Sequence, residues 1–259
     1  MNKQELTEEE YWDGRWTRLK LPVEITKDNA RAVSREMMNV FEIYLPKQNG
    51  LRILEIGGAP GKWLAYFKKH FHYDINAIDY SGTGCQKMRE NFALLHLEAK
   101  IYRSNILTDD LSGLPPFDIV YSLGFIEHFQ DLSVILEKHL EMVKGGGILM
   151  LGVPNLLGIT ENVLRRTAPR MLTTHNLHAM DIETWDAFED KYPLAPIFKG
   201  YIGGFDLHNC RRCEKRTPLN RLIRLFFKAL TRLTREIPFL RKYNSKYWSP
   251  YFLVLYKKG

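Results

Sequence analysis

Four stretches of the sequence hold residues whose types and spacing could do chemistry. The first is Glu55-Ile56-Gly57-Gly58-Ala59-Pro60-Gly61, which closes a short apolar run. Glycines in such a turn permit tight backbone and let a ligand approach the main chain closely. A helix beginning just beyond would add unpaired N–H groups. The second is Asp79, 18 residues after Gly61 at the end of another apolar run. An acid in that place suits the two hydroxyls of an adenosine ribose. The third is the pair Glu127-His128, whose imidazole has the ordinary pKa of a general base; the same pair could equally pack and cap a short segment. The fourth is Thr174-His175-Asn176-Leu177-His178, with two more imidazoles.

Two familiar nucleotide sites fit poorly. A dinucleotide fingerprint wants G-x-G-x-x-G, and counting from Gly57 places Ala59 and Lys62 where the second and third glycines should be. A G-x-x-x-x-G-K-[ST] loop is missing. His208, Cys210 and Cys213 offer zinc-type ligands, but a structural site needs a fourth ligand and none accompanies them, so no metal is expected.

These residues need a scaffold that brings them together. Apolar runs at 51–56, 75–79, 100–104, 117–122, 147–153, 197–205 and 251–257 read as strands. Helical patterns alternate with them near 61–71, 83–96, 131–143 and 181–190, after two N-terminal helices at 7–20 and 29–45. Strands that are apolar throughout and separated by helices predict an α/β fold with a mostly parallel sheet covered on both faces. Ligands then bind beyond the carboxyl ends of the strands. At 259 residues the chain suits one domain spanning 1–259, with a helical cap over 1–48 and an insertion over 206–249.

The stretches LEIGGAPGKW (54–63), AIDYS (77–81), FDIVYSLGFIEHFQD (117–131) and LEMVKGGGILMLGVPN (140–155) occur in the order of the successive motifs of a known family. Over roughly 40–205 the sequence resembles the class I S-adenosylmethionine-dependent methyltransferases, nearest the branch with quinone-biosynthesis and sugar or polysaccharide methyltransferases. The resemblance implies a Rossmann-like sheet of seven strands, the last antiparallel and preceded here by a helical insertion. It implies S-adenosylmethionine as cofactor. Glu55, Gly57, Gly58 and Gly61 would face its methionine part, and Asp79 the ribose. Tyr80, Asn105 and Ile106 would border the adenine, with Ser122 and Leu123 beside the fourth strand. Ala59 stands where the family usually has its middle glycine, and Asn105 where it usually has an acid.

For the acceptor, the catalytic candidates are His128, His175 and His178. No N-P-P-Y or D-P-P-Y follows the fourth strand, which within the family argues for a hydroxyl acceptor or for a different nitrogen or carbon acceptor; the expectation is a hydroxyl of a small molecule, a glycan or a lipid-linked species. RNA methylation, and a cofactor-fold protein without turnover, are the alternatives.

Charge is unevenly spread. Residues 211–259 hold 14 Lys/Arg against 2 Asp/Glu, leaving the other 210 residues at a net of −5. Within the basic end, 219–237 places Arg221, Arg224, Lys228, Arg232 and Arg235 on one helical face, and Leu222, Phe226, Leu230, Leu233 and Ile237 on another. That pattern is expected of a helix lying on an anionic membrane surface, or of one packed on the core with its charges solvated. Nucleic acid is the weaker reading, because the aromatics are not spread as stacking platforms. No signal-like apolar core opens the sequence, and three cysteines make no disulfide framework. A cytoplasmic location, peripheral at the inner membrane surface, is the expectation; the oligomeric state is left open.

Overall fold

The computed structural model describes residues 6–215, 217–235 and 237–259. Its centre is one seven-stranded sheet built from β1 (Arg52–Ile56), β2 (Asp74–Asp79), β3 (Lys100–Arg103), β4 (Phe117–Leu123), β5 (Val143–Pro154), β6 (Leu194–Ile202) and β7 (Tyr251–Lys258). The order is β3-β2-β1-β4-β5-β7-β6. β1 pairs in parallel with both β2 and β4, and β7 is antiparallel to β5 and β6. All seven predicted strands are present, with ends shifted by a few residues.

The strands are apolar throughout because each buries both faces. On one face Ile53, Ile75, Ile119, Tyr121, Met150 and Leu255 meet helices α2 (Ala32–Tyr44), α3 (Lys62–Phe71) and α4 (Gly82–Leu94). Met38, Phe41, Leu64 and Phe67 supply the helical side. On the other, Leu54, Ile78, Val120, Leu149 and Val254 meet α5 (Leu132–Met142) and α8 (Ile182–Lys191) through Leu136, Leu140 and Trp185. Alternate strand residues thus feed two cores, the signature of a covered parallel sheet.

Three helices fill the remaining stretches: α1 (Glu9–Thr17), which buries no residue, and the pair α6 (Ile159–Thr167) and α7 (Pro169–Thr173) after β5. Sequence patterning left the last two unassigned, because ITENVLRRTAPRMLTT has few apolar residues and a proline at its centre. Between β6 and β7 lie a short 3-10 turn (His208–Arg211), α9 (Pro218–Arg235) and α10 (Pro238–Lys242).

The sheet's direction of winding reverses at β1 and β4, since β2 lies on one side of β1 and β4 on the other. A crevice forms outside the carboxyl ends of two such strands. The Gly57–Gly61 turn and the Glu127-His128 segment both follow those ends.

Candidate active site

The glycine turn leaves β1 with Gly57 and Gly61 at φ of 70° and 80°. A side chain at Gly57 would also collide with the Phe125 ring. Both positions are therefore closed to other residues, on backbone and space alike. The turn lies against Asp79: the Ala59 N–H donates to its Oδ2 at 3.3 Å, and the Ser81 N–H to its Oδ1 at 2.9 Å. Two stretches 20 residues apart are thus in direct contact. Burial pushes the Asp79 carboxyl up to about 6 against the pull of those two amides.

Glu55, the last-but-one residue of β1, is buried, and its Oε2 has no hydrogen-bond partner. Burial drives it up to about 8, although Tyr121 and Lys62 beside it pull the other way. An orphaned buried carboxyl costs free energy unless a ligand donates to it. Lys62, the residue that spoiled the dinucleotide pattern, is the cation closest in influence to Glu55.

Across the crevice, Glu127 and His128 form a 3-10 turn after β4. Both are buried, with His128 Nε2 at 3.8 Å from Glu127 Oε1, and Glu127 Oε2 unpartnered. The Thr174 carbonyl lies 3.2 Å from His128 Nδ1, which turns Nε2 toward Glu127. The His175 ring stands 4.6 Å from that of His128. Ligand-type atoms of Glu127, His128 and His175 all fall within 4.8 Å, a set that could also hold a divalent cation. Burial pushes Glu127 up to about 8. Burial, then His175, pushes His128 down to about 3, and burial, then Arg212, takes His175 down to about 4. At neutral pH the cluster therefore carries no charge.

The other predicted residues take up mixed places. His178 is exposed on the turn Leu177–Met180, its N–H bound to the Asn176 side chain, and does not join the cluster. Ser122 lies near the carboxyl end of β4, but its hydroxyl meets His139 Nε2 at 3.0 Å, leaving only its backbone to a ligand. Asn105 Oδ1 accepts from the Leu107 N–H in the turn after β3. Ile106 is buried, Tyr80 and Leu123 are half-buried, and Gly58 abuts the Glu55 side chain. Cys210 contacts Thr160 at 3.6 Å and Cys213 the Asn220 carbonyl at 3.6 Å, so the His208–Cys213 stretch is not assembled as a ligand set.

Several site residues escaped the sequence reading. Trp12 of α1 sets its ring 5.0 Å from His128, and the Leu6 N–H donates to the His128 carbonyl at 2.7 Å. Asp13 accepts from Ser81 Oγ at 2.5 Å. The Trp12–Trp16 spacing of four was the available signal for a helix with an aromatic face. Tyr251, at the start of β7, lies near enough to Glu127 and Glu55 to be raised by them after burial.

A sequence model described as a methyltransferase domain matches residues 26–196. The chain belongs to the methyltransferase-domain family. The match runs through the glycine turn, Asp79 and the Glu127–His128–His175 cluster. This methyltransferase has the architecture of many solved ones. It is similar to a candidate sarcosine dimethylglycine methyltransferase from Galdieria sulphuraria at a TM-score of 0.62 and 11% identity, covering 97% of this chain and 98% of that one. The N-methyltransferase NodS from Bradyrhizobium japonicum WM9, solved with S-adenosylhomocysteine, gives 0.57 and 13%, covering 96% and 98%. Geranyl diphosphate C-methyltransferase from Streptomyces coelicolor A3(2) gives 0.57 and 12%, covering 87% and 79%. A comparison with curated protein sequences finds no match.

The residues present fit S-adenosylmethionine, the cofactor that the sequence resemblance implies. The orphaned Glu55 oxygen has the chemistry to accept from the methionine ammonium, and the Cβ-free turn leaves room for close backbone approach. Asp79 presents a carboxylate for the ribose hydroxyls at the adjoining edge.

Proposed function

We propose that the protein methylates a hydroxyl of a small, glycan or lipid-linked acceptor, with Glu127, His128 and His175 handling the acceptor. Bound S-adenosylmethionine supplies an activated methyl on a sulfonium. Glu55 and the Gly57–Gly61 turn hold its methionine end, Asp79 its ribose, and Tyr80, Asn105, Ile106, Ser122 and Leu123 border the adenine and the path of the chain. Trp12 and Phe125 exclude water from the methyl's surroundings. An acceptor hydroxyl has then to be aligned and to lose its proton.

The observation that carries this reading is the buried His128 ring, with Nδ1 held at the Thr174 carbonyl and Nε2 turned to Glu127 Oε1 at 3.8 Å. A neutral imidazole takes the hydroxyl proton at Nε2. The proton stays on His128 Nε2, and in the fraction of molecules in which Glu127 is already ionised its carboxylate, 3.8 Å away, stabilises the imidazolium. His175 contacts the ring and orients it, and His178 stays outside this step. The family branch with quinone and sugar acceptors agrees with the Glu-His pair. NodS is an N-methyltransferase and the geranyl diphosphate enzyme a C-methyltransferase; an amine or carbon acceptor is the second reading, and a deprotonated amine would need no base.

The helix α9 supports placing this chemistry at an anionic membrane surface, with the rest of the enzyme cytoplasmic. Leu222, Phe226 and Leu233 are 65%, 61% and 67% exposed on one stripe. Arg221, Arg224, Lys228 and Arg232 occupy the next stripe and form no ion pair among the described residues. The sequence expectation needs one correction: Leu230 turns inward with Phe227 and Ile223 rather than outward with Leu222. The helix has three faces, one on the body, one apolar and one basic. The Arg235 side chain and residue 236 lie outside the described residues.

Radiolabelled methyl transfer to lipid, glycan, RNA and small-molecule fractions of a bacterial extract tests the acceptor class. His128→Gln is expected to lower transfer to a hydroxyl acceptor by ~10²-fold or more, with cofactor affinity unchanged. A label that enters RNA, or a His128→Gln enzyme as fast as the parent, would overturn the reading.

A further inference from the structure

A hollow of about 460 Å³ is lined by Arg31, His208, Arg211 and Arg212. These residues come from the entry to α2 and from the 3-10 turn before α9, so the fold has gathered distant cations. None of the three arginines forms an ion pair with a carboxylate among the described residues. Arg15 of α1 adds a fourth guanidinium, stacked only on Trp12 and Trp16. Arg212 is held below the usual arginine range by desolvation first, then by Arg15 and Arg31. Asp206 lies 3.4 Å from His208 Nδ1 beside the hollow, and the guanidiniums outnumber it; the excess of like charge raises the energy of the empty site and favours an arriving anion.

We propose that this hollow binds a phosphate or diphosphate group of the acceptor, an inference that rests on the methyltransferase reading above. Guanidinium forks match phosphate oxygens with paired N–H donors, which a single carboxylate would use only in part. At the cofactor's carboxylate end Lys62 stands beside Glu55 with Arg15 and Arg31 close by, so the phosphate is assigned to Arg211 and Arg212 on the far wall of the hollow. The position suits an acceptor: Arg212 influences His175, and Arg15 influences His128, so an anion here sets a neighbouring hydroxyl next to the imidazoles.

The hollow also has an outward continuation. Arg211 belongs equally to a larger cleft of about 1030 Å³ that runs under the first turns of α9. Lys215, Arg221 and Arg224 line that cleft together with Pro218, Leu222 and Leu225. An anion at Arg212 with an apolar remainder along Leu222 and Leu225 matches both linings at once.

The test is titration of the protein, loaded with S-adenosylhomocysteine, with inorganic pyrophosphate at low ionic strength. A second arm uses zwitterionic phospholipid vesicles doped with geranylgeranyl diphosphate, and the same vesicles undoped. Saturable pyrophosphate binding, weakened ~10-fold or more by Arg211→Gln with Arg212→Gln, is the expected result. Binding in both arms marks a site open to free phosphorylated acceptors. Doped vesicles binding alone, and losing binding in the double variant, mark a headgroup held in a lipid surface. Equal binding by parent and variant in both arms, or no binding in either, overturns the inference. So does a matching loss of S-adenosylhomocysteine affinity in the variant, which would assign the arginines to the cofactor. Failure of the parent to bind S-adenosylhomocysteine at all would instead refute the enzymatic reading.

Discussion

Cofactor affinity should depend on pH through Glu55. The carboxyl is fully buried, carries an unpartnered Oε2 and is pushed up to about 8. It must ionise to receive the methionine ammonium, and in the free protein at pH 6.5 only a few per cent of it is ionised. Raising the pH to 8 ionises about half, while the ligand's amino group, near 7.7–8.0 when free, begins to lose its own proton. The two trends combine to a gain in affinity of roughly 10-fold between pH 6.5 and 8, levelling off there. Asp79 adds little to this span, because a carboxyl at about 6 is already mostly ionised at pH 6.5. Calorimetric titration with S-adenosylhomocysteine in two buffers of different ionisation enthalpy should show release of nearly one proton at pH 6.5. Glu55→Gln should bind ~10- to 100-fold more weakly, as expected for loss of a hydrogen bond to a charged group, and should lose the rise in affinity between pH 6.5 and 8. A dissociation constant constant within twofold from pH 6.5 to 8, with no proton released, would refute the assignment of Glu55 to the ammonium.

The same burial has a consequence for stability. Glu55 and Glu127 keep protons in the folded chain that the unfolded chain has released above about 4.5, so stability falls as pH rises toward 8. Between pH 6.5 and 8 each carboxyl can cost up to ~2 kcal/mol, while His128, His139 and His175, all depressed, each return only about 0.4 kcal/mol as the unfolded imidazoles lose their remaining protons. Urea unfolding of the cofactor-free protein at both pH values should show the drop, and Glu127→Gln should remove part of it. Gly57→Ala places a methyl against Phe125 at positive φ, so a loss of ~1–3 kcal/mol and of cofactor binding is expected in thermal melts and titration. Arg224→Glu with Arg232→Glu should abolish flotation with anionic liposomes without lowering the melting temperature, since both side chains are exposed; unchanged flotation would end the membrane proposal.

Much of the sheet could be read from the sequence because each strand is covered on both faces, so its apolar run is continuous and bounded by turns. The glycine turn and Asp79 could be read for a related reason: their chemistry depends on local backbone and on the order of strands. The acceptor side was harder. His128 and His175 are 47 positions apart, and nothing local distinguishes His175 from the exposed His178; only the packing of Thr174 and Asn176 against the Glu127 turn separates them. Arg31 and Arg212 were invisible as a pair because they meet through tertiary structure alone. On α9 the period of 3.6 located the basic stripe correctly. It could not say which apolar residues face the body, because the buried face there includes Asn220, Thr231 and Thr234.

Helix α1 spans both halves of the crevice with modest holdings. Glu9 pairs with Arg103 at 3.7 Å and Asp13 with Ser81 on the ribose side, while Trp12 rests on His128 across the way. It buries no residue fully and rests on the core through the half-buried Trp16, so it has less buried apolar contact than the helices on the sheet and opens ahead of them. Because one rigid rod carries both fastenings, lifting it uncovers spent donor and finished product together. Exit of the two is therefore mechanically geared, and weakening either fastening should hasten the departure of both.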